Sequence, residues 1–588
     1  MEDASRLSYR RMGKEIALIT ILGLLIPIAG SSKGQLELAT RVLTHVAMIT
    51  IVLAWLGYKL ARRERMPTTP LDIPIALLLL VTLTSTVFSM DVRLSLEGLL
   101  LVPFYALFFY LVADLLQHGW PDVLFVRALI IATAIVCVLP IQEAVQWYLR
   151  WYEIGGSAHP IPPVLFRIST SVGGPNNLAA HINLVVPLAL AAMVLVPQRR
   201  ARVLLAGWLL LVFSVELLTL SRGGLLGAIG GVMITTILVA LSLRRQGRLA
   251  IFADWCRSHK PFAALAVCAL SLMIVSAATI SFRFLTNPSR RGSNQIRLGY
   301  WSAATTVLKE RPLTGAGYLT YAPQYQRFAS IPPMPPTSKA HNAILTIAAE
   351  LGLLGLAASA ALAGTLFAAL RTVWERASGR RQLLIAGCVG SLAGFLIHSM
   401  VDDFVHLPLF VFEQCLIVAV LLTPGGTSRT TISSVVPVRS GVRVRTVIVP
   451  FLLVAAVLLW TDVPYFYMVR GAIMGTQARW EQATYWVNKA TELDHFFGFY
   501  HFQLGFVYGH LASKEGSPHL DQAIEQYQVG LSQEPYYSLN HANLAALYWQ
   551  DGQTEVALDC VREAIDLAPA APEYACLLYT SPSPRDRS

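Results

Sequence analysis

Apolar runs long enough to cross a bilayer recur along the first four fifths of the chain, near 16–31, 39–60, 71–90, 95–116, 123–146, 177–197, 202–220, 223–243, 261–281, 342–370, 382–401, 403–423 and 446–463. A helix of about 20 apolar residues spans roughly 30 Å of hydrocarbon. The pattern therefore predicts thirteen membrane helices in an all-α, polytopic bundle. The run at 16–31 follows Arg6, Arg10, Arg11 and Lys14 as a signal peptide would, but no small-residue cleavage site follows, so it reads as the first span.

Polar positions between the runs set the orientation. Arg62, Arg63 and Arg65 follow the second run; Arg199, Arg200 and Arg202 the sixth; Arg244, Arg245, Arg248, Arg257 and Lys260 the eighth. Arg371, Arg376, Arg380 and Arg381 follow the tenth, and Arg429, Arg439, Arg443 and Arg445 the twelfth. All share the side of the N-terminus, which the positive-inside rule assigns to the cytoplasm. Thirteen spans then place everything after about residue 464 outside. Two further outward segments are long, Leu149–Asn176 and Ser281–Ala340.

Composition narrows the function. Of 588 residues, 55% are hydrophobic and 14% charged, against roughly 25% charged in an ordinary soluble domain. A soluble globular enzyme is excluded, and so is a disordered chain. Net charge is +11, which the basic cytoplasmic loops explain before any nucleic acid is invoked, and none is expected. Seven scattered cysteines lack CxxC or zinc-type spacing, so neither a disulfide framework nor a metal centre is expected. Topology does not explain the outward segment Ser281–Ala340, where Arg283, Arg290, Arg291, Arg297, Lys309, Arg311, Arg327 and Lys339 face a single acid, Glu310. Such a surplus suits an anionic substrate at the outer face.

From about Val469 the chain turns polar and aromatic, and a repeat emerges. Tyr548, Gly552, Ala557, Val561, Ala564 and Pro569 take the spacing of a helix–turn–helix unit of about 34 residues; Ala523, Tyr527, Gly530 and Pro535 precede them, with Leu504, Gly505 and Tyr508 earlier still. The region 469–575 resembles tetratricopeptide repeats, which bind a protein partner on a concave face or serve only as a packing module. The last stretch, 576–588, breaks the pattern, resembles translated adapter sequence and is expected to lie outside the natural fold.

Three outward places gather the chemistry. Thr219-Leu220-Ser221-Arg222-Gly223-Gly224 turns between the seventh and eighth runs and leaves Arg222 at a helix start, where unpaired N–H groups favour an anion; the alternative is an arginine snorkelling to lipid phosphate. Asn294 to Trp301 opens a helical stretch carrying Arg297 and leading to Arg311-Pro312-Leu313-Thr314-Gly315-Ala316-Gly317. Lys339-Ala340-His341-Asn342 stands where the loop re-enters the membrane, ahead of Glu350-Leu351-Gly352. His341 is a candidate general base, and Asn342 either orients the site or caps the helix. Asp402-Asp403 is the outward acidic doublet, read as a partner for a loop arginine rather than a cation site. Glu216, His181 and Asn183 are expected to pair inside the bundle.

Together these motifs resemble the O-antigen ligase superfamily, which holds Wzy-type polymerases and WaaL-type ligases. The resemblance rests on Ser221-Arg222-Gly223, the Arg297…Trp301…Arg311-Pro312…Gly315…Gly317 run and His341-Asn342…Glu350-Leu351-Gly352, with Gly173-Gly174-Pro175-Asn176-Asn177 before the sixth run, and covers roughly 15–425. It implies a bacterial inner-membrane glycosyltransferase that moves a glycan from a polyprenyl-diphosphate carrier to a hydroxyl of a lipid, glycan or protein acceptor, without a cofactor. Arg222 and Arg297 would grip the diphosphate, His341 would activate the acceptor, and Arg290, Arg291, Arg311 and Asn342 would line the substrate. The domains implied are a membrane domain over 1–463 and outward repeats over 469–575. Two other classes fit the pattern: a secondary transporter of an anionic solute, although no internal duplication is visible, and an envelope scaffold acting through the repeats.

Overall fold

The computed structural model describes residues 35–156, 166–168, 173–247, 288–328, 337–423, 442–515 and 518–580. The expected spans near 16–31 and 261–281 lie outside these residues. Among the described residues the regular structure is helical, with one isolated backbone bridge between Arg65 and Arg443. Nine of these helices are long and apolar enough to cross a membrane, and two shorter apolar helices, Asp72–Val87 and Pro408–Leu422, accompany them. The chain is a multi-pass membrane protein.

It divides into two compact units. The first comprises Met1–Ile73, Phe104–Arg291 and Leu362–Ile448; the second comprises Pro74–Pro103, Gly292–Ala361 and Val449–Ser588. The helices are α1 (Gln35–Ala61), α2 (Asp72–Val87), α3 (Val92–Gln117), α4 (Asp122–Val136), α5 (Val138–Trp151), α6 (Pro175–Leu195), α7 (Arg199–Thr219) and α8 (Arg222–Arg245). Then come α9 (Pro288–Glu310), α10 (Tyr321–Phe328), α11 (Ala343–Arg376), α12 (Gly379–Ser399), α13 (Pro408–Leu422) and α14 (Val444–Thr476). The run expected at 123–146 is two helices, α4 and α5, meeting at Cys137. Pro140 explains the break, because its ring excludes a regular turn over the Val136 carbonyl.

The first unit is centred on α6, α8 and α12, packed on one another. Small residues bring α8 and α12 together: a Cβ on Gly231 would stand 2.8 Å from the Gly390 carbonyl, and one on Gly394 would stand 2.7 Å from the Gly227 carbonyl. Lipid supplies no hydrophobic drive between helices, so close backbone approach and dispersion hold such a pair. Buried polar pairs add to it. His181 Nδ1 lies 2.6 Å from Glu413 Oε1, and its Nε2 lies 3.0 Å from Thr133 Oγ1. The expected pairing of Glu216 is corrected: its carboxyl is fully buried beside Gly224, and neither oxygen has a hydrogen-bond partner among the described residues. A Cβ on Gly224 would stand 2.7 Å from Glu216 Oε1, so the missing side chain of that glycine makes the room the carboxyl occupies.

In the second unit α14 runs through the region where the composition changes. The helix runs unbroken from Val444 to Thr476 through Pro450 and Pro464, so the boundary at 463–469 falls inside one element. The change to polar composition marks a change of surroundings, whereas the helical backbone continues. Residues beyond Pro464 form the first packing face for the helices that follow, with Met468 clustered against Ala490, Phe497 and Tyr500. Those helices are α15 (Trp480–Leu493), α16 (Gly498–Glu515), α17 (Pro518–Gln533), α18 (Ser538–Gln550), α19 (Thr554–Leu567) and α20 (Pro572–Thr580), each packed on the next. Ala523, Tyr527, Tyr548, Ala557, Val561 and Ala564 are all buried between them. α20 continues through Cys576 to Thr580, past the point where the repeat pattern breaks.

An ionic cluster in the same unit ties the start of α3 to these helices. Arg93 donates from Nε and Nη2 to Asp494 Oδ2 at 2.8 and 2.6 Å, and its guanidinium lies over the Phe497 ring. Asp91 caps α3 by accepting from the Leu94 N–H. Glu534 accepts from the Phe499 N–H at the head of α16. Burial, reinforced by the negative charge of Asp91, pushes the Glu534 carboxyl up to about 8, and burial pushes Asp91 to about 6. A raised carboxyl stabilises the folded unit fully below its unfolded value, and that contribution is lost as pH rises through the folded value. The second unit is therefore expected to melt at progressively lower temperature between about pH 4.5 and 8. Thermal unfolding across that range checks this, and Glu534→Gln should flatten the slope.

Candidate active site

Ser221 builds the turn that carries Arg222 in the first unit. Its Oγ accepts from the Gly224 N–H at 3.1 Å and caps α8, so Arg222 becomes the first helical residue, half-buried. The preceding Leu220 is left-handed at φ 50°. Arg167 spans the incoming chain, donating from Nε to the Thr219 carbonyl (3.0 Å) and from Nη2 to Asn176 Oδ1 (3.2 Å). Asn176 in turn donates to Asp402 Oδ2. The acidic doublet expected to pair with a loop arginine thus reaches Arg167 through Asn176. Arg167 carries no signal in the sequence, because its bond to the Thr219 carbonyl joins segments 52 residues apart.

His341 stands in the second unit at φ 53°, a left-handed conformation that costs a non-glycine residue about 1–2 kcal/mol. Neighbouring contacts on both sides hold it. Upstream, the Ala340 N–H donates to Thr346 Oγ1 (3.1 Å); downstream, Asn342 Oδ1 accepts from the Leu345 N–H (3.1 Å) and caps α11. Of the two roles open to Asn342, the cap is the one this geometry displays. The His341 ring stacks on Tyr300 with centroids 5.3 Å apart. Tyr300 lies one turn after Arg297 on α9. Burial raises its hydroxyl while the charge of Arg297 pulls it back. Arg297, Tyr300 and His341 therefore form one neighbourhood, in which Tyr300 has no role that the sequence assigns. The helix carrying Arg297 begins at Pro288, six residues before the expected Asn294.

The remaining motif residues serve the backbone. α11 is broken at Gly352 (φ 65°, ψ −160°), and the segment after Arg311 pairs across the break. Leu353 and Leu354 donate to the carbonyls of Pro312 and Leu313, at 2.8 and 3.1 Å. Ala316 and Gly317 donate to those of Ala349 and Glu350, at 2.9 and 3.0 Å. Ser85 Oγ adds a bond to the Glu350 carbonyl, and Glu350 Oε1 accepts from the Tyr321 N–H. Arg311 Nη1 donates to the Phe88 carbonyl at 3.0 Å, closing the end of α2. The side chains of Arg290 and Arg291 lie outside the described residues. Arg222 belongs to the first unit, and Arg297, Arg311, His341 and Asn342 to the second. Among the described residues no three His, Cys, Asp or Glu side chains gather as a metal site.

Residues 208–360 match the sequence model of the family described as O-antigen ligase. The matched stretch runs from within α7 to within α11 and contains Arg222, Arg297, Arg311, His341, Asn342 and the Gly352 break. It supports a relation to the O-antigen ligase superfamily and, broadly, a glycosyl-transferring membrane enzyme. No curated protein gives a significant match to the chain.

Proposed function

We propose that this protein is a glycosyltransferase of the O-antigen ligase or polymerase type, moving a glycan from a polyprenyl-diphosphate carrier to a hydroxyl acceptor at the outer face of the bacterial cytoplasmic membrane. The observation that carries this reading is the match over 208–360, because the one region contains a helix-start arginine and the Arg297–Tyr300–His341 group. The basic loops support an N-terminus in the cytoplasm and helices α15–α20 outside as a tetratricopeptide-like module.

In the reaction the acceptor oxygen bonds to the anomeric carbon while the bond from that carbon to the diphosphate oxygen breaks. The electron pair leaves on the carrier diphosphate, and the hydroxyl proton passes to the His341 ring. Arg222 and Arg297 suit the leaving group, since guanidinium grips phosphate oxygens in a bidentate fork and stays charged in a partly apolar site. The test is transfer in vitro from a defined polyprenyl-diphosphate glycan to lipid A–core, carrier-linked glycan and protein acceptors, with and without EDTA. Arg222→Ala and Arg297→Ala are each expected to lower transfer by about 10²–10³. Uptake of an anionic solute by vesicles that show no transfer to any acceptor would overturn the reading.

A further inference from the structure

We infer that Asn183 and His398 are positioning residues for Arg222, locking the turn that carries it from two neighbouring helices; the inference rests on Arg222 being a donor ligand, as proposed above. The turn does not hold itself, since Leu220 sits in a left-handed conformation that persists only where surrounding structure over-determines it. Ser221 Oγ supplies one restraint from within. The others come from outside. Asn183, on α6, donates from Nδ2 to the Gly224 carbonyl at 3.0 Å, and the same nitrogen lies 3.4 Å from His398 Nδ1 on α12.

The chemistry of this contact fixes its polarity. A carbonyl only accepts, so the amide nitrogen must face Gly224. That nitrogen then needs a lone pair on His398 Nδ1, which places the imidazole hydrogen on Nε2. The ring lies against Gly223, the residue after Arg222: a Cβ there would stand 2.7 Å from His398 Cδ2 and 3.1 Å from Nε2. Phe404 packs edge-on against the ring at 4.9 Å. Asn183 is closer still to α8 at Gly227, where a Cβ would stand 2.5 Å from Nδ2. α8 is thus bare of side chains along the strip where both residues approach it.

Burial separates this arrangement from ordinary packing. Asn183 and His398 are each 1% exposed, and Asn183 Oδ1 has no partner among the described residues. An apolar residue of similar size would fill the space without leaving a buried acceptor unsatisfied. What an apolar residue could not supply is the hydrogen bond that holds the Arg222 turn. Neither residue is exposed enough to meet substrate, so both act through Arg222.

The experiment measures the turn and the kinetics separately in full-length protein. Hydrogen–deuterium exchange over 219–226 reads the lock whether or not the functional proposal holds. Asn183→Leu and His398→Phe are expected to speed exchange there, to raise the donor KM about tenfold, as loss of one net hydrogen bond would, and to leave the acceptor KM unchanged. In an Arg222→Ala background neither should lower transfer further. Should Asn183→Leu fail to extract as folded protein, His398→Phe carries the test, because its ring refills the same space. Unchanged exchange in the folded variants, or losses that add in full to that of Arg222→Ala, overturns the inference. Wild-type protein that transfers from no polyprenyl-diphosphate donor overturns the proposed function instead, and the exchange result stands apart from it.

Discussion

His341→Ala is expected to lower glycan transfer by about 10²–10⁴, the usual contribution of a positioned general base, while leaving the donor KM near that of the wild type. The second half follows from the geometry. His341 is held by the cap at Asn342, the Thr346 bond to Ala340 and the Tyr300 stack, none of which is made by its imidazole nitrogens. Alanine therefore removes the proton acceptor and the stack but leaves the backbone restraints. A second variant separates chemistry from strain. Glycine accepts φ 53° freely, so His341→Gly should be as inactive as His341→Ala and yet melt at higher temperature. It should also regain part of its rate with millimolar imidazole. Full transfer by either variant, measured with a defined donor, removes His341 from the mechanism.

Gly352→Ala is expected to cost more than about 3 kcal/mol of folding stability, near the upper range for single substitutions, although the residue touches no substrate. At φ 65° and ψ −160° it occupies a region open essentially to glycine alone. A Cβ would stand 2.3 Å from the Leu313 carbonyl oxygen and 2.6 Å from the Gly315 nitrogen. Both obstacles are backbone, so neither can swing aside as a flexible side chain would. Relief requires breaking the bonds from Leu353 and Leu354 to Pro312 and Leu313, which hold the α11 break to the segment after Arg311. The yield of monodisperse protein after detergent extraction, with its melting temperature, measures the effect. Gly315→Ala should behave alike, since its Cβ would stand 2.3 Å from the Glu350 carbonyl carbon. Extraction and melting like wild type by both variants would mean the two segments do not interlock.

The same residues separate what is legible in sequence from what is not. The sequence puts Arg222 at a helix start and offers a cap as one of two roles for Asn342; in the structure Ser221 caps the first helix and Asn342 the second. The apolar runs are local, and α6, α7 and α8 lie close to where hydropathy places them. Gly315, Gly317, Glu350 and Gly352 stand out as a motif, and beside the arginines and His341 they look like part of the chemistry. Their role depends on backbone pairing between segments some 35 residues apart, which no local pattern encodes. Composition turns polar at about Val469, but a helix needs only its own i to i−4 bonds to continue, and α14 runs on to Thr476.

The sequence by itself determined the class of molecule, because hydrocarbon thickness demands long apolar runs and each run records that demand locally. It also placed Arg222 at a helix start and marked the re-entry after His341, readings that need only adjacent residues. The tertiary structure decided everything that depends on distant partners: Tyr300 beneath His341, Arg167 on Thr219, Asn183 and His398 against Gly224 and Gly223, and Glu216 buried with no partner among the described residues. Side chains meet across a bundle according to helix packing and close glycine contacts, and those are properties of pairs of helices rather than of any one stretch of chain.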